Sequence, residues 1–152
     1  MDPYTLLFRE HAWYLVAYCH ERKDIMLFRV DRIRELRRLD EDFQVPRSFS
    51  IENYMAGAWE VERGNPVKVT IRFDPAAAPL IREARWHPSQ VLTEEPDGSL
   101  LMEVTTGGRS ALLRWVLGFA GRAVVVEPAE VREEIVRMAE AAAGANKVAA
   151  SG

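Results

Sequence analysis

The 152-residue sequence contains one cysteine, Cys19, so no disulfide can form within the chain and a Cys-rich zinc site is excluded. A lone Cys in an apolar strand reads as a small core hydrophobe. No apolar run approaches the roughly 18 residues that a helical membrane span needs. The opening Met-Asp-Pro-Tyr lacks the basic flank and apolar stretch of a signal peptide, so a cytoplasmic protein with no membrane partner is expected. Strong charge of either sign is also missing: 20 basic residues stand against 23 acidic ones, a net charge of −3, which gives no global attraction for a polyanion. Any contact with nucleic acid must therefore be local. No Gly-x-Ser-x-Gly elbow, His-Glu-x-x-His helix or Gly-x-x-x-x-Gly-Lys loop occurs, and His11, His20 and His87 are scattered rather than spaced as metal ligands on one helix face. The acidic pairs Glu94–Glu95 and Glu133–Glu134 fall at a predicted turn and on the polar side of a predicted helix. No enzymatic activity, metal or cofactor is expected.

What is present is the composition of a packed domain, 48% hydrophobic and 28% charged. The first half reads as a small all-β unit. Tyr4, Leu6 and Phe8 alternate, Arg9 to Ala12 breaks the pattern, and Trp13 to Cys19 resumes it, which predicts a hairpin. In the second strand Trp13, Leu15, Ala17 and Cys19 share the more apolar face and are assigned to the core, while Tyr14, Val16, Tyr18 and His20 share the other. After a turn at Glu21 to Asp24, Ile25 to Ile33 reads as a third strand running into an Arg-rich segment, taken as mostly strand. Ser50 is a natural N-cap for a short helix over Ile51 to Ala56, with Gly57 as its stop. The polar stretch from Glu60 to Pro66 reads as a linker.

The second half alternates differently. Val67 to Phe73 is a predicted strand, and Asp74-Pro75 caps and starts a helix with Leu80, Ile81 and Ala84 on its apolar side. Arg85 to Glu94 and Leu100 to Thr105 are strands joined by a Pro-Asp-Gly turn at 96–98. Leu112, Leu113, Val116 and Leu117 mark a buried helical face closed by Gly121, Ala123 to Val126 is a last strand, and a helix opens at Glu127-Pro128 and runs to about Ala143. This β-α-β-β-α-β order plus a helix is that of a ferredoxin-like unit. The expected class is α+β, with domains at 1–59 and 67–143, a linker at 60–66 and a disordered tail at 144–152. Gly107-Gly-Arg-Ser before that helix has the look of a phosphate-holding turn, but Ser110 as an N-cap explains it structurally.

Trp13-Tyr14-Leu15, together with Asp2 to Tyr4, Tyr18-Cys19, Arg22 and the F-R-x-D-R-I pattern from Phe28 to Ile33, resembles the bacterial WYL-domain transcription regulators. Val69 to Pro75, Trp86 to Pro88 and Gly107 to Trp115 resemble the WCX extension that commonly follows that domain. The resemblance implies an Sm-like or SH3-like β barrel joined to a ferredoxin-like module. It further implies a sensor of nucleic-acid or nucleotide ligands behind an upstream winged helix-turn-helix, with the extension assisting dimerisation. On that pattern two further strands would precede Asp2, so the barrel here is expected to be partial, and Met26 stands where the family often has Arg.

Arginine suits an anionic ligand because its guanidinium gives two parallel hydrogen bonds to one phosphate and stays charged. Arg22, Arg29 and Arg32 lie at the ends of adjacent predicted strands, which a hairpin can bring to one rim. Tyr14, Tyr18 and His20 share a predicted face beside them and suit a stacked base. The expected partner is a single-stranded nucleic acid or nucleotide, and the expected assembly a homodimer. Two plainer readings stand beside these: Arg29 and Arg32 pairing with Asp31 and Glu35 on a solvated surface, and both tyrosines half-buried in the barrel. A pure dimerisation module with no small ligand is the alternative function.

Overall fold

Alternating side chains need a partner strand to bury one face, and the first unit, Met1–Ala56, supplies it as a meander. In a computed structural model that describes residues 1–149, β1 (Asp2–Arg9), β2 (Ala12–Cys19) and β3 (Asp24–Arg29) form one antiparallel sheet in the order β1-β2-β3. The β1–β2 turn is closed by Glu10 and His11, both with positive φ (48° and 59°), the handedness that matches strand twist in a two-residue hairpin. The register sets Leu7, Tyr14 and Arg29 across one face and Phe8, Trp13, Leu15 and Phe28 across the other.

The face assignment of β2 is the reverse of the expected one. Ala12, Tyr14 and Val16 are buried, whereas Trp13 is 53% exposed beside exposed Leu6 and Phe8. Leu15 and Cys19 are intermediate, and Ala17 alone on the expected core face is fully buried. In the same unit α1 (Ile51–Met55) is capped by Ser50, whose Oγ accepts from the Asn53 N–H, and Tyr54 of α1 donates its hydroxyl to the Ile25 carbonyl. Phe49 bridges Tyr4 and Tyr54 edge-on.

The third strand is shorter than its sequence suggests. It ends at Arg29, a 3-10 turn takes Val30–Arg32, and residues 33–48 are exposed and irregular. The cause is the lack of a partner: β3 is the edge of its sheet, and Asp31 folds back on Arg29 instead of continuing the ladder.

The second unit begins at Gly57. Strands β4 (Val67–Phe73), β5 (Val91–Glu94), β6 (Leu100–Thr106) and β7 (Ala123–Glu127) pair antiparallel in the order β5-β6-β4-β7. Helices α2 (Ala78–Arg82), α3 (Arg109–Leu117) and α4 (Ala129–Ala149) complete it. Val69, Ile71 and Phe73 of β4, Leu100, Met102 and Val104 of β6, Ile81 of α2, and Leu112, Leu113 and Val116 of α3 share one core with Val131 of α4. The molecule is thus α+β, with two antiparallel sheets and four α-helices among the described residues.

Three expectations change here. Residues 85–90 are not strand, because Gln90 Oε1 takes the Trp86 and His87 N–H groups and His87 Nδ1 takes that of Ser89. The stretch at 60–66 is no free linker: Trp59 is buried in the second core, Trp59 and Glu62 exchange backbone hydrogen bonds, and Glu62 reaches α3. Finally, α4 passes through Gly144 to Ala149, since the alanines around it are strong helix formers that offset one glycine. Residues 150–152 of the expected tail lie outside the described residues.

Candidate ligand surface

The six expected site residues divide into two groups. Tyr14 and Arg29 are direct cross-strand partners, and Arg32 follows within the next turn. Tyr18, His20 and Arg22 lie at the opposite end, around the β2–β3 turn. Arg29 stands five residues along β3 from Asp24, the first residue after that turn, about 17 Å at ~3.4 Å per residue. One shared rim for all three arginines is therefore not what the hairpin builds: a strand entered at the turn leaves at the far end.

At the first end, Arg29 donates from Nε and Nη2 to the two carboxylate oxygens of Asp31, at 3.0 and 2.7 Å. The pairing with Asp31 holds the Arg29 pKa above its usual value, and the Arg29 hydrogen bond holds the Asp31 carboxyl below its own. Arg32 adds to the lowering of Asp31 through space and has no hydrogen-bonded ion pair among the described residues. The Arg29 side chain is 35% exposed and that of Asp31 60%, so solvent screens the pair and it contributes little to folding. Tyr14, only 7% exposed, has no open ring face to offer a base and lies beside Arg29 as its cross-strand partner.

At the second end, Tyr18 meets His20 edge-to-face at 5.4 Å between centroids, and His20 Nε2 lies 2.7 Å from Asp2 Oδ1. Arg22 is exposed in the turn. The Glu35 expected as a partner for Arg32 is exposed, with no ion pair to it among the described residues.

The glycine turn before α3 is already occupied. Gly108, not Ser110, is the N-cap, and the Glu62 carboxylate accepts the Ser110 N–H at 2.9 Å while Arg114 approaches its other oxygen at 3.4 Å. A carboxylate thus sits where a helix N-terminus would attract a phosphate. The sequence signal for this was Gly107-Gly108 itself: a Cβ on Gly108 would lie 2.5 Å from the Trp59 nitrogen and 2.6 Å from the Glu62 carbonyl oxygen.

Sequence reasoning also passed over His87. It is buried, stacks on Trp59 with an interplanar angle of 9°, and accepts the Ser89 N–H at Nδ1. Burial lowers its pKa, with the Ala58 backbone opposing in part. No group of three or more His, Cys, Asp or Glu side chains is placed to hold a metal among the described residues, and no helix there is long and apolar enough to cross a membrane.

Two family models match the chain, the WYL domain over residues 1–38 and the WCX domain over residues 65–143. The chain belongs to the WYL-domain transcription regulators that carry a WCX domain. It is similar to protein PafC of Mycobacterium tuberculosis, 27% identical over 150 residues that cover 99% of this chain and 46% of that protein. PafC of Mycobacterium leprae is 31% identical over 151 residues, 94% of this chain and 43% of the relative. The HTH-type transcriptional regulator YobV of Bacillus subtilis is 24% identical over 135 residues, 88% of this chain and 42% of the relative. The chain spans less than half the length of these curated relatives. Among solved structures, proteasome accessory factor B/C (PafBC) of Arthrobacter aurescens is similar at 25% identity and a TM-score of 0.41, over 88% of this chain and 20% of that one.

Proposed function

We propose that this chain is the effector-sensing portion of a transcription regulator, in which an anionic, nucleotide-like ligand engages Arg29 and Arg32 at one end of the β1-β2-β3 sheet. The observation that carries the reading is the Arg29–Asp31 fork. The guanidinium already presents two donors to a two-oxygen acceptor, and a phosphate offers the same face. Asp31 is exposed and can swing into solvent, leaving Arg29 and Arg32 as nearby cations beside the Tyr14 strand. Tyr18, His20 and Arg22 form a second patch about 17 Å away along the hairpin. A ligand touching both patches is a short single strand rather than a mononucleotide. Sensing requires that the ligand bind one arrangement of the regulator better than another, and the DNA-reading helix-turn-helix belongs to a part of the regulator outside this sequence.

The three-stranded meander supports reading the first unit as part of an Sm/SH3-like barrel, and the order β5-β6-β4-β7 with its two βα crossings supports a ferredoxin-like second unit. The alternative, an assembly module with no small ligand, is favoured by one observation: Leu6, Phe8 and Trp13 put a contiguous apolar face into solvent.

Titration of a fluorescent single-stranded oligonucleotide at several salt concentrations separates the two. Under the sensing reading binding weakens steeply with salt, because phosphate contacts release counterions. Arg29→Ala and Arg32→Ala each weaken it with unchanged thermal stability, and Arg22→Ala weakens the oligonucleotide but not a mononucleotide. Binding that is absent, indifferent to salt, or untouched by the Arg29 and Arg32 variants rejects the sensing reading.

A further inference from the structure

Beyond the 3-10 turn, the first unit carries a segment whose composition does not fit a solvated loop. Leu36 is 86% exposed and Leu39 56%, and Ile33, Phe43 and Val45 are also exposed large apolar residues. The charges around them are sorted along the chain. Glu35 apart, Arg34, Arg37 and Arg38 precede Leu39, and Asp40, Glu41 and Asp42 follow it. Among the described residues none of these six side chains takes part in an ion pair or hydrogen bond, although opposite charges lie two to four positions apart. A polyanion drawn to Arg37 and Arg38 would meet the three carboxylates next along the chain, and it has no use for five exposed apolar side chains.

We propose that residues 33–45 are a self-complementary contact for a second copy of this chain, the two segments running antiparallel about a two-fold axis at Leu39. In that register Arg38 of each copy faces Asp40 of the other and Arg37 faces Glu41. Leu39 meets its own counterpart and Ile33 lies opposite Val45, while Leu36 falls opposite Asp42 and Phe43 opposite Glu35. A two-fold contact must be built from one patch that complements itself, and a half that is basic but for Glu35, followed by an acidic half, around a central leucine meets that condition. Apolar contact supplies attraction, while the charge order fixes direction and register. The proposal uses none of Tyr14, Tyr18, His20, Arg22, Arg29 or Arg32, so it stands or falls apart from ligand sensing.

Sedimentation of the nuclease-treated full chain across a range of concentrations tests it, with two charge-reversed variants, Arg37→Glu/Arg38→Glu and Asp40→Lys/Glu41→Lys. The wild type is expected to dimerise, and each variant alone to self-associate at least about tenfold more weakly, because like charges then face each other. An equimolar mixture of the two variants restores the dimer, since each reversed half meets its complement. Circular dichroism of the variants should match the wild type, because the segment has no regular structure to lose. A monomeric wild type, variants that dimerise as well alone, or a mixture that stays monomeric each overturns the proposal.

Discussion

Gly108 of the second unit has no room for a side chain. Its φ of −88° is open to any residue, so alanine there is not strained by its own backbone. Its Cβ, however, would lie 2.5 Å from the Trp59 nitrogen, 2.6 Å from the Glu62 carbonyl oxygen and 2.6 Å from the Trp59 Cβ. Comfortable carbon contacts are about 3.5–4.0 Å, so the Trp59–Glu62 turn must retreat by roughly an ångström. It is poorly placed to do so. Trp59 is packed against Trp115 and His87, the turn is closed by two backbone hydrogen bonds, and Glu62 is tied to the α3 N-terminus. Overpacking of this kind costs about 1–3 kcal/mol, and three simultaneous contacts, two of them with backbone atoms, place Gly108→Ala at the upper end, roughly 2–3 kcal/mol. For a unit of this size each kcal/mol shifts the midpoint by about 4–8 °C, so a fall of roughly 10–20 °C is expected. Thermal unfolding followed by tryptophan fluorescence is the assay, because Trp59, Trp86 and Trp115, three of the four tryptophans, lie in this unit. A midpoint within ~4 °C of the wild type, the equivalent of less than about 1 kcal/mol, would refute the reasoning.

Two further predictions concern the same unit. Gly144→Ala fills open space on an exposed helical position, with nothing within 4 Å of the new Cβ, and should stabilise α4 by about 0.5–1 kcal/mol, read as a raised urea midpoint. For His87 the sign follows from its lowered folded-state pKa: the unfolded chain binds the proton at higher pH than the folded one. Stability is therefore full above the ordinary histidine value of about 6.5, falls as the pH drops from there toward the depressed value, and levels off below it. Protonation of Nδ1 removes the acceptor of the Ser89 N–H and places a cation against Trp59 in a buried site. Urea midpoints between pH 7.5 and 5.5 should show this slope in the wild type and a flatter one in His87→Gln; equal slopes would assign the pH dependence to other groups.

Much of the architecture was legible because it rests on local chemistry. Val67 to Phe73 alternates and is a strand over those residues, Ser50 caps α1 through Asn53, and the Pro-Asp-Gly turn at 96–98 joins β5 and β6 with Gly98 at a φ of 84°. What failed depended on what lies across from a residue. The Trp13 face of β2 is the more apolar by composition, yet Tyr14 and Val16 of the other face are the buried ones, a fact of tertiary packing that period-two alternation does not contain. The Arg-rich segment carries strand-compatible spacing but no partner, and spacing alone does not reveal whether a ladder exists. Glu62 was invisible for the same reason: 48 residues separate it from Ser110, and nothing in the local sequence marks it as the group that fills the α3 N-terminus.

Four arginines of the second unit are used differently from those of the first. In the second unit guanidinium groups fasten distant parts of the chain: Arg72 of β4 holds Glu95 and Asp97 at the β5–β6 turn, Arg82 of α2 forks onto Glu94 of β5, Arg109 of α3 meets Glu134 of α4, and Arg114 reaches Glu62. Each of these pairs joins segments distant in the sequence, although all are partly exposed and each adds little to stability. In the first unit Arg29 pairs only with its neighbour Asp31, two residues away, and Arg22, Arg32, Arg34, Arg37 and Arg38 form no ion pair among the described residues. Taking any of these six groups for a ligand or a partner chain disturbs no contact between elements. A binding surface must be exchangeable without unfolding its scaffold, and by that criterion the arginines of the first unit are the ones open to a ligand or a partner chain.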